Sequence, residues 1–183
     1  MKGLEAASMA DLAQASGISE EQLLKDYKTT QGVLRAAITW YFNKYSRMLN
    51  AEMAMHADLY AAMEALLRSV IDLCFDLQAS NRKHSLRTIF ELSLQDEQYR
   101  ASFEEMFGVW TENVHEKVAQ FSSDLKDPSE TEVLTHYVLA VMEGLYDLIR
   151  YGAQKEMMHQ VVDMSLIVIA AKMKPAGKAT KQD

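Results

Sequence analysis

The chain has 183 residues, 49% of them apolar, which is enough for a real core, and a formal net charge of −7, opposite to the electrostatic footprint of a nucleic-acid binder unless charge is segregated along the chain. Cys74 is the only cysteine, which excludes an internal disulfide and a thiolate zinc cluster and fits a reducing compartment. The N-terminus lacks the basic-then-apolar order of a secretory signal, and the longest apolar run, Leu166 to Ala171, is far below the ~20 residues that cross a bilayer, so a cytoplasmic chain with no membrane partner is expected. Pro128 and Pro175 are the only prolines, so long helices and no sheet are predicted, an all-α fold.

In chain order, Ser8 caps a first short helix whose apolar side is Met9, Leu12 and Ala13, and Gly17 supplies the backbone freedom to leave it sharply. Ser19, with Gln22 three residues on, fits the reciprocal capping pattern for a second helix carrying Leu23, Leu24 and Tyr27. Two short helices around a tight turn, feeding a longer third, are the grammar of a helix-turn-helix head, here residues 1–46. Within it Lys2, Lys25, Lys28, Arg35 and Lys44 oppose Glu5, Asp11, Glu20, Glu21 and Asp26, so the head is neutral and less acidic than the rest.

Lys2-Gly3, the run Ser8 to Ala13, the run Ala15 to Ser19, Leu23, Tyr27-Lys28 and Val33-Leu34 stand in an order and spacing that resembles the N-terminal domain of TetR/AcrR-type transcriptional regulators. The likeness covers the head closely and the remainder loosely, where Met142-Glu143-Gly144-Leu145 is similar to the family's penultimate interface helix. It implies an all-helical homodimer whose head binds operator DNA as a repressor and whose larger helical domain, residues 47–174, takes a small apolar or amphipathic effector, with no cofactor. On this chain the implied DNA-binding positions are Ser8, Ser19, Gln22, Lys25 and Lys28. The family's first helix, ahead of Lys2, has no counterpart in the sequence, and its Gly-Thr-Leu-Tyr run is Glu21-Gln22-Leu23-Leu24, so Leu24 replaces a phosphate-contacting tyrosine. Thr30 stands for the family lysine after Tyr27, and Glu20 and Glu21 set carboxylates where a phosphate backbone would approach. The alternative expectation is a sensor or partner-binding protein of the same fold with a decayed head.

Beyond the head, Val33, Leu34, Ala37, Ile38, Tyr41, Phe42, Tyr45, Met48 and Leu49 predict a helix from about Gln31 to Asn50. Leu59, Met63, Leu66, Leu67, Val70, Ile71, Cys74 and Leu77 predict another, ending in a loop at Ser80-Asn81-Arg82-Lys83. A short helix over Leu86, Ile89, Phe90 and Leu94 precedes one capped by Asp96, with Phe103, Met106, Phe107, Trp110, Val114, Val118 and Phe121 on one face. Asp127-Pro128-Ser129-Glu130 is a start signal for a helix with a broad apolar arc, and a last helix from about Lys155 to Met173 is apolar nearly all round. Those two predict a four-helix seam across a two-fold axis, with Val138, Leu145, Leu148, Val161, Leu166 and Ile169 as the dimer interface. Residues 175–183 lack apolar anchors and are expected to be a disordered tail.

Chemistry is sparse. Glu112-x-x-His115 and Glu156-x-x-His159 have the spacing of di-iron bundle ligands, but helical phase turns them and Glu143 toward solvent, so no metal is expected. There is no His-Glu-x-x-His, phosphate loop or Gly-x-Ser-x-Gly elbow, so no enzyme is expected. Phe75, Phe90, Met106, Phe107, Trp110, Tyr137, Met142 and Tyr146 offer aromatic faces, thioethers and phenols suited to an effector pocket, although such stripes more often form ordinary core.

Overall fold

The computed structural model describes residues 7–79 and 97–175. Among them are seven α-helices: α1 (Met9–Ser16), α2 (Glu20–Tyr27), α3 (Thr30–Ala54), α4 (Leu59–Ala79), α5 (Glu97–Gln120), α6 (Thr131–Arg150) and α7 (Lys155–Lys172). No strand occurs among the described residues, only an isolated antiparallel bridge between Leu125 and Met173. The expected loop at 80–83, the helix over 86–94, the Asp96 cap and all but the first residue of the expected tail lie outside the described residues. The described chain forms two compact units, one of residues 7–47 with 97–108 and the other of 48–79 with 109–175.

In the first unit the helix starts are set by side chains. Ser8 Oγ accepts from Asp11 N at 3.2 Å while Ser8 N donates to Asp11 Oδ2 at 2.8 Å, a complete reciprocal box. Gly17 closes α1 at φ 71°, in the left-handed region. Ser19 Oγ accepts from Gln22 N at 3.2 Å, but Gln22 Nε2 donates to Asp26 Oδ2 at 2.8 Å instead of reaching back. The reciprocal cap expected at Ser19 is therefore one-sided, because a nearer carboxylate one turn on captures the amide.

Thr29 starts α3, its Oγ1 accepting from Gly32 N at 3.0 Å. The junction is so tight that a Cβ at Gly32 would stand 2.1 Å from Tyr27 O. Leu23 and Leu34 are buried here, and a cluster of Ile38, Tyr99 and Met106 is joined by Phe42 and Phe103. Tyr99 Oη also donates to Gln31 O at 3.3 Å. The first turns of α5 thus belong with the head, and this unit takes in more than the expected 1–46 stretch.

The second unit is built around α4. Asp58 caps it, accepting from Ala61 N at 2.8 Å, and Leu59, Ala62, Met63, Leu66, Leu67, Val70 and Ile71 have no exposed surface. α6 and α7 pack on α4 and on each other. Each of these Leu, Met, Val and Ile side chains contributes about 1.5–3 kcal/mol, which makes α4 a major source of apolar stabilisation in this unit. Asp127 accepts from Ser129 N at 2.9 Å and Pro128 opens a 3₁₀ turn that runs into α6, as the sequence signal predicts.

The end of α7 is fastened back. Lys126 N donates to Lys172 O and Lys174 N to Asp124 O, each at 2.8 Å, and Lys172 Nζ meets Glu130 Oε1 at 2.5 Å. α3 runs four residues further than expected, to Ala54, because Met53 is buried and extends the apolar stripe.

Two glycine substitutions should move stability in opposite directions. Gly32→Ala should cost about 1–3 kcal/mol, since the added methyl meets rigid backbone. Gly108→Ala, in open space within α5, should stabilise by about 0.5–1 kcal/mol. Urea unfolding followed by circular dichroism checks both, and equal midpoints for the two variants would contradict the packing described.

Candidate functional site

α1 and α2 pack together through a glycine turn and present a helix-turn-helix surface. Ser8, Ser19, Gln22, Lys25 and Lys28 are all exposed on it. Their present engagements differ. The Ser8 and Ser19 hydroxyls hold helix starts, and Gln22 bonds Asp26. Lys28, at φ 66° and beyond the end of α2, turns its Nζ onto Lys25 O at 2.8 Å, leaving Lys25 as the cation on the outer side of α2. Glu20, Leu24 and Tyr27 share an exposed flank with Glu21 beside it, so the surface mixes apolar and acidic groups with its few cations.

The effector-pocket candidates separate. Met106 is part of the first unit's core, and Phe107 beside it is 37% exposed. Phe75, Trp110, Tyr137, Met142 and Tyr146 lie in the second unit, Trp110 and Met142 buried and the other three half-buried. Phe90 lies outside the described residues. The second unit does bring polar chemistry inside. Burial first, then the neighbouring Cys74 and Glu143, holds the Tyr146 phenol well above its usual range, and burial pushes the Cys74 thiol up to about 12. At the rim, Lys155 Nζ meets Asp72 Oδ1 at 2.6 Å and lies 5.9 Å from the Phe75 ring centroid.

The dimer-interface candidates need correction. Val138, Leu145, Leu166 and Ile169 are buried within their own unit, so they are core of the subunit and not free to meet a second copy. The apolar arcs of α6 and α7 were wide enough for two neighbours, and α4 occupies the inner edge. Leu148 is exposed and Val161 intermediate. The outer edges carry Val133, Ala140 and Gly144 on α6, Tyr151 just beyond its end, and Met157, Met164, Ile167 and Val168 on α7. Met164 and Ile167 are each 70% exposed, and a Cβ at Gly144 would meet nothing within its own chain.

Glu112 and Glu156 are exposed, as expected, but both histidines are half-buried against other helices. His115 Nδ1 lies 3.5 Å from Thr135 Oγ1, and His159 Nδ1 lies 3.4 Å from Arg68, which also binds Asp163 and Glu64. No group of three or more potential metal ligands occurs among the described residues. A cleft of about 520 Å³, with no signal in the sequence, opens in the second unit between the end of α3 and the last turns of α5. None of its lining residues is an effector-pocket candidate. No helix among the described residues is long and apolar enough to cross a membrane.

The head and the helical body share the fold of solved TetR-family transcriptional regulators. The chain superposes on a solved TetR-family transcriptional regulator from Rhodococcus sp. with a TM-score of 0.68 and 16% identity, covering 93% of this chain and 89% of that one. It also superposes on the TetR family repressor AlkX from Dietzia sp. strain DQ12-45-1b, implicated in biodegradation of n-alkanes, with a TM-score of 0.52 and 12% identity over 94% and 89% of the two chains. By sequence, no family model and no curated protein matches.

The raised thiol bears on reactivity. With a pKa of about 12, only about one Cys74 in ten thousand is thiolate at pH 8, so the native protein should react with a disulfide reagent at least 100-fold more slowly than the unfolded chain. Equal rates in buffer and in denaturant would show that the thiol is not held in the core.

Proposed function

We propose that this protein is a TetR-type transcriptional repressor: a homodimer whose helix-turn-helix heads bind operator DNA and whose bodies bind a small apolar or amphipathic effector. The observation that carries the reading is the head itself, two eight-residue helices joined by a left-handed Gly17, with both starts capped and the outer surface of α2 exposed. A surface helix held this way can lie in a major groove with Gln22 and Lys25 toward the bases and Ser8 and Lys28 toward phosphates. The superposition on TetR-family regulators supports the same reading.

Dimerisation is inferred from the outer face of α6 and α7. Val133, Tyr137, Ala140, Gly144 and Leu148 recur at four- and three-residue steps along α6, while Met157, Met164, Ile167 and Val168 share one side of α7. Small residues at the middle of the α6 stripe admit a close second helix, and large apolar residues flank them. In a dimer, an effector held among Phe75, Trp110, Tyr137, Met142 and Tyr146 would favour one spacing of the heads and DNA another, which couples the two by population shift.

A second reading, a partner-binding protein of this fold whose head has lost DNA, draws support from Glu20, Glu21 and the exposed Leu24 on α2. DNA binding separates the two. Fluorescence anisotropy against the intergenic DNA beside its own gene should give saturable binding that weakens with salt, and Lys25→Glu should weaken it at least tenfold. Absence of binding at both low and moderate salt would leave the second reading.

The interface has its own test. Wild-type protein should sediment as a dimer, and Ile167→Glu should give a folded monomer, because Ile167 is free of the subunit core. An unchanged sedimentation profile would place the interface elsewhere.

A further inference from the structure

We propose that Gln22, held in one orientation by Asp26, selects an adenine in each operator half-site, with Asp26 as its positioning residue. The inference rests on the DNA-binding reading above and deepens it by naming the base and the group that sets the choice.

Gln22 is the third residue of α2, in the first turn of an exposed helix, the part of a groove-reading helix that meets base edges. Both of its ends are fixed by the chain itself. Its backbone N–H donates to Ser19 Oγ at 3.2 Å, and its side-chain Nε2 donates to Asp26 Oδ2 at 2.8 Å, one turn further along the same helix. A carboxylate only accepts hydrogen bonds, so this second bond settles which way the amide faces, with Nε2 on Asp26 and Oε1 turned away.

One of the two amide hydrogens is thereby used. Gln22 still presents one N–H donor and the Oε1 acceptor. Adenine's major-groove edge sets an N7 acceptor beside an N6 donor and engages both at once, whereas guanine presents two acceptors, N7 and O6, one of which would face Oε1 with no proton between them. Cytosine offers a donor alone and thymine an acceptor alone, so neither engages both halves of the amide. Released from Asp26, Nε2 regains its second hydrogen and the amide can rotate, and guanine is no longer excluded. Of the neighbours on α2, Lys25 carries donors only, Glu20 and Glu21 acceptors only and Leu24 neither. The carboxylates repel phosphates whatever the sequence, an effect on affinity that is separable from base choice.

Selection of bound sequences from random duplexes by the full chain, followed by fluorescence anisotropy on the selected site and its single-base variants, reads that choice. Wild type should bind a half-site whose adenine-to-guanine variant is at least fivefold weaker, the scale of one lost bidentate base contact. Gln22→Ala should bring the two sites within twofold of each other. Asp26→Asn should do the same, because its amide can donate as well as accept and no longer fixes Gln22, and it should bind both sites more tightly through the lost charge. Glu21→Gln, which removes a charge from the same helix, should raise affinity with the adenine-to-guanine ratio unchanged, and this separates positioning from charge. A ratio that survives Gln22→Ala or Asp26→Asn, or a selected site with no adenine preference, would overturn the assignment and leave the repressor reading standing. No bound duplex at low salt would overturn both.

Discussion

The structure of the body rests on enclosing α4. A helix with seven side chains completely withdrawn from water along about half of its circumference requires more than one partner, and α6 and α7 meet that demand with their inner faces. Once those faces are committed, the apolar residues left over on the outer edges of the same two helices are uncovered among the described residues. Ile167, Met164 and Leu148 stay exposed among the described residues, and the proposed second copy is what would cover them. The stability of the body and the apolar surface proposed for a second copy are thus two consequences of one packing problem.

The head is governed by different physics. Eight-residue helices are too short to persist alone, and α1 buries no side chain completely while α2 buries only Leu23. Caps and turns do most of the work: the Ser8–Asp11 box, Gly17, Ser19 and Thr29 each satisfy or redirect backbone groups that a long helix would satisfy by itself. Such an element keeps its shape locally while leaving most of its side chains exposed, α2 all but Leu23, which suits a surface that meets another molecule. The same economy makes the surface easy to alter, as Leu24 and the paired glutamates on α2 illustrate.

The legible parts of this chain were those encoded by local rules. Ser8, Gly17, Ser19 and the Asp127-Pro128 pair marked helix boundaries because capping acts within three or four residues, and the α4 stripe announced a buried helix through periodicity alone. What the sequence left open was which edge of a wide apolar arc faces inward. Val138, Leu145, Leu166 and Ile169 look the same in sequence as Leu148 and Ile167, and only the position of α4 separates core from outer face. The Gln22 reciprocal cap failed for a related reason, since Asp26 was an equally local competitor. The cleft beside Asn50 gave no signal, because asparagine, glutamate and glutamine on a helix read as ordinary solvated surface until two segments far apart in the chain are brought together.

The central claim is that paired heads of this fold read DNA. DNase I footprinting of the intergenic region beside the gene tests it most directly. The account predicts protection of two half-sites related by a dyad, about 10–10.5 base pairs apart centre to centre or a multiple of that, because a two-fold dimer presents one α2 to each. Protein-saturating conditions that leave the cleavage ladder unchanged, or protection of a single half-site with no dyad, would contradict it.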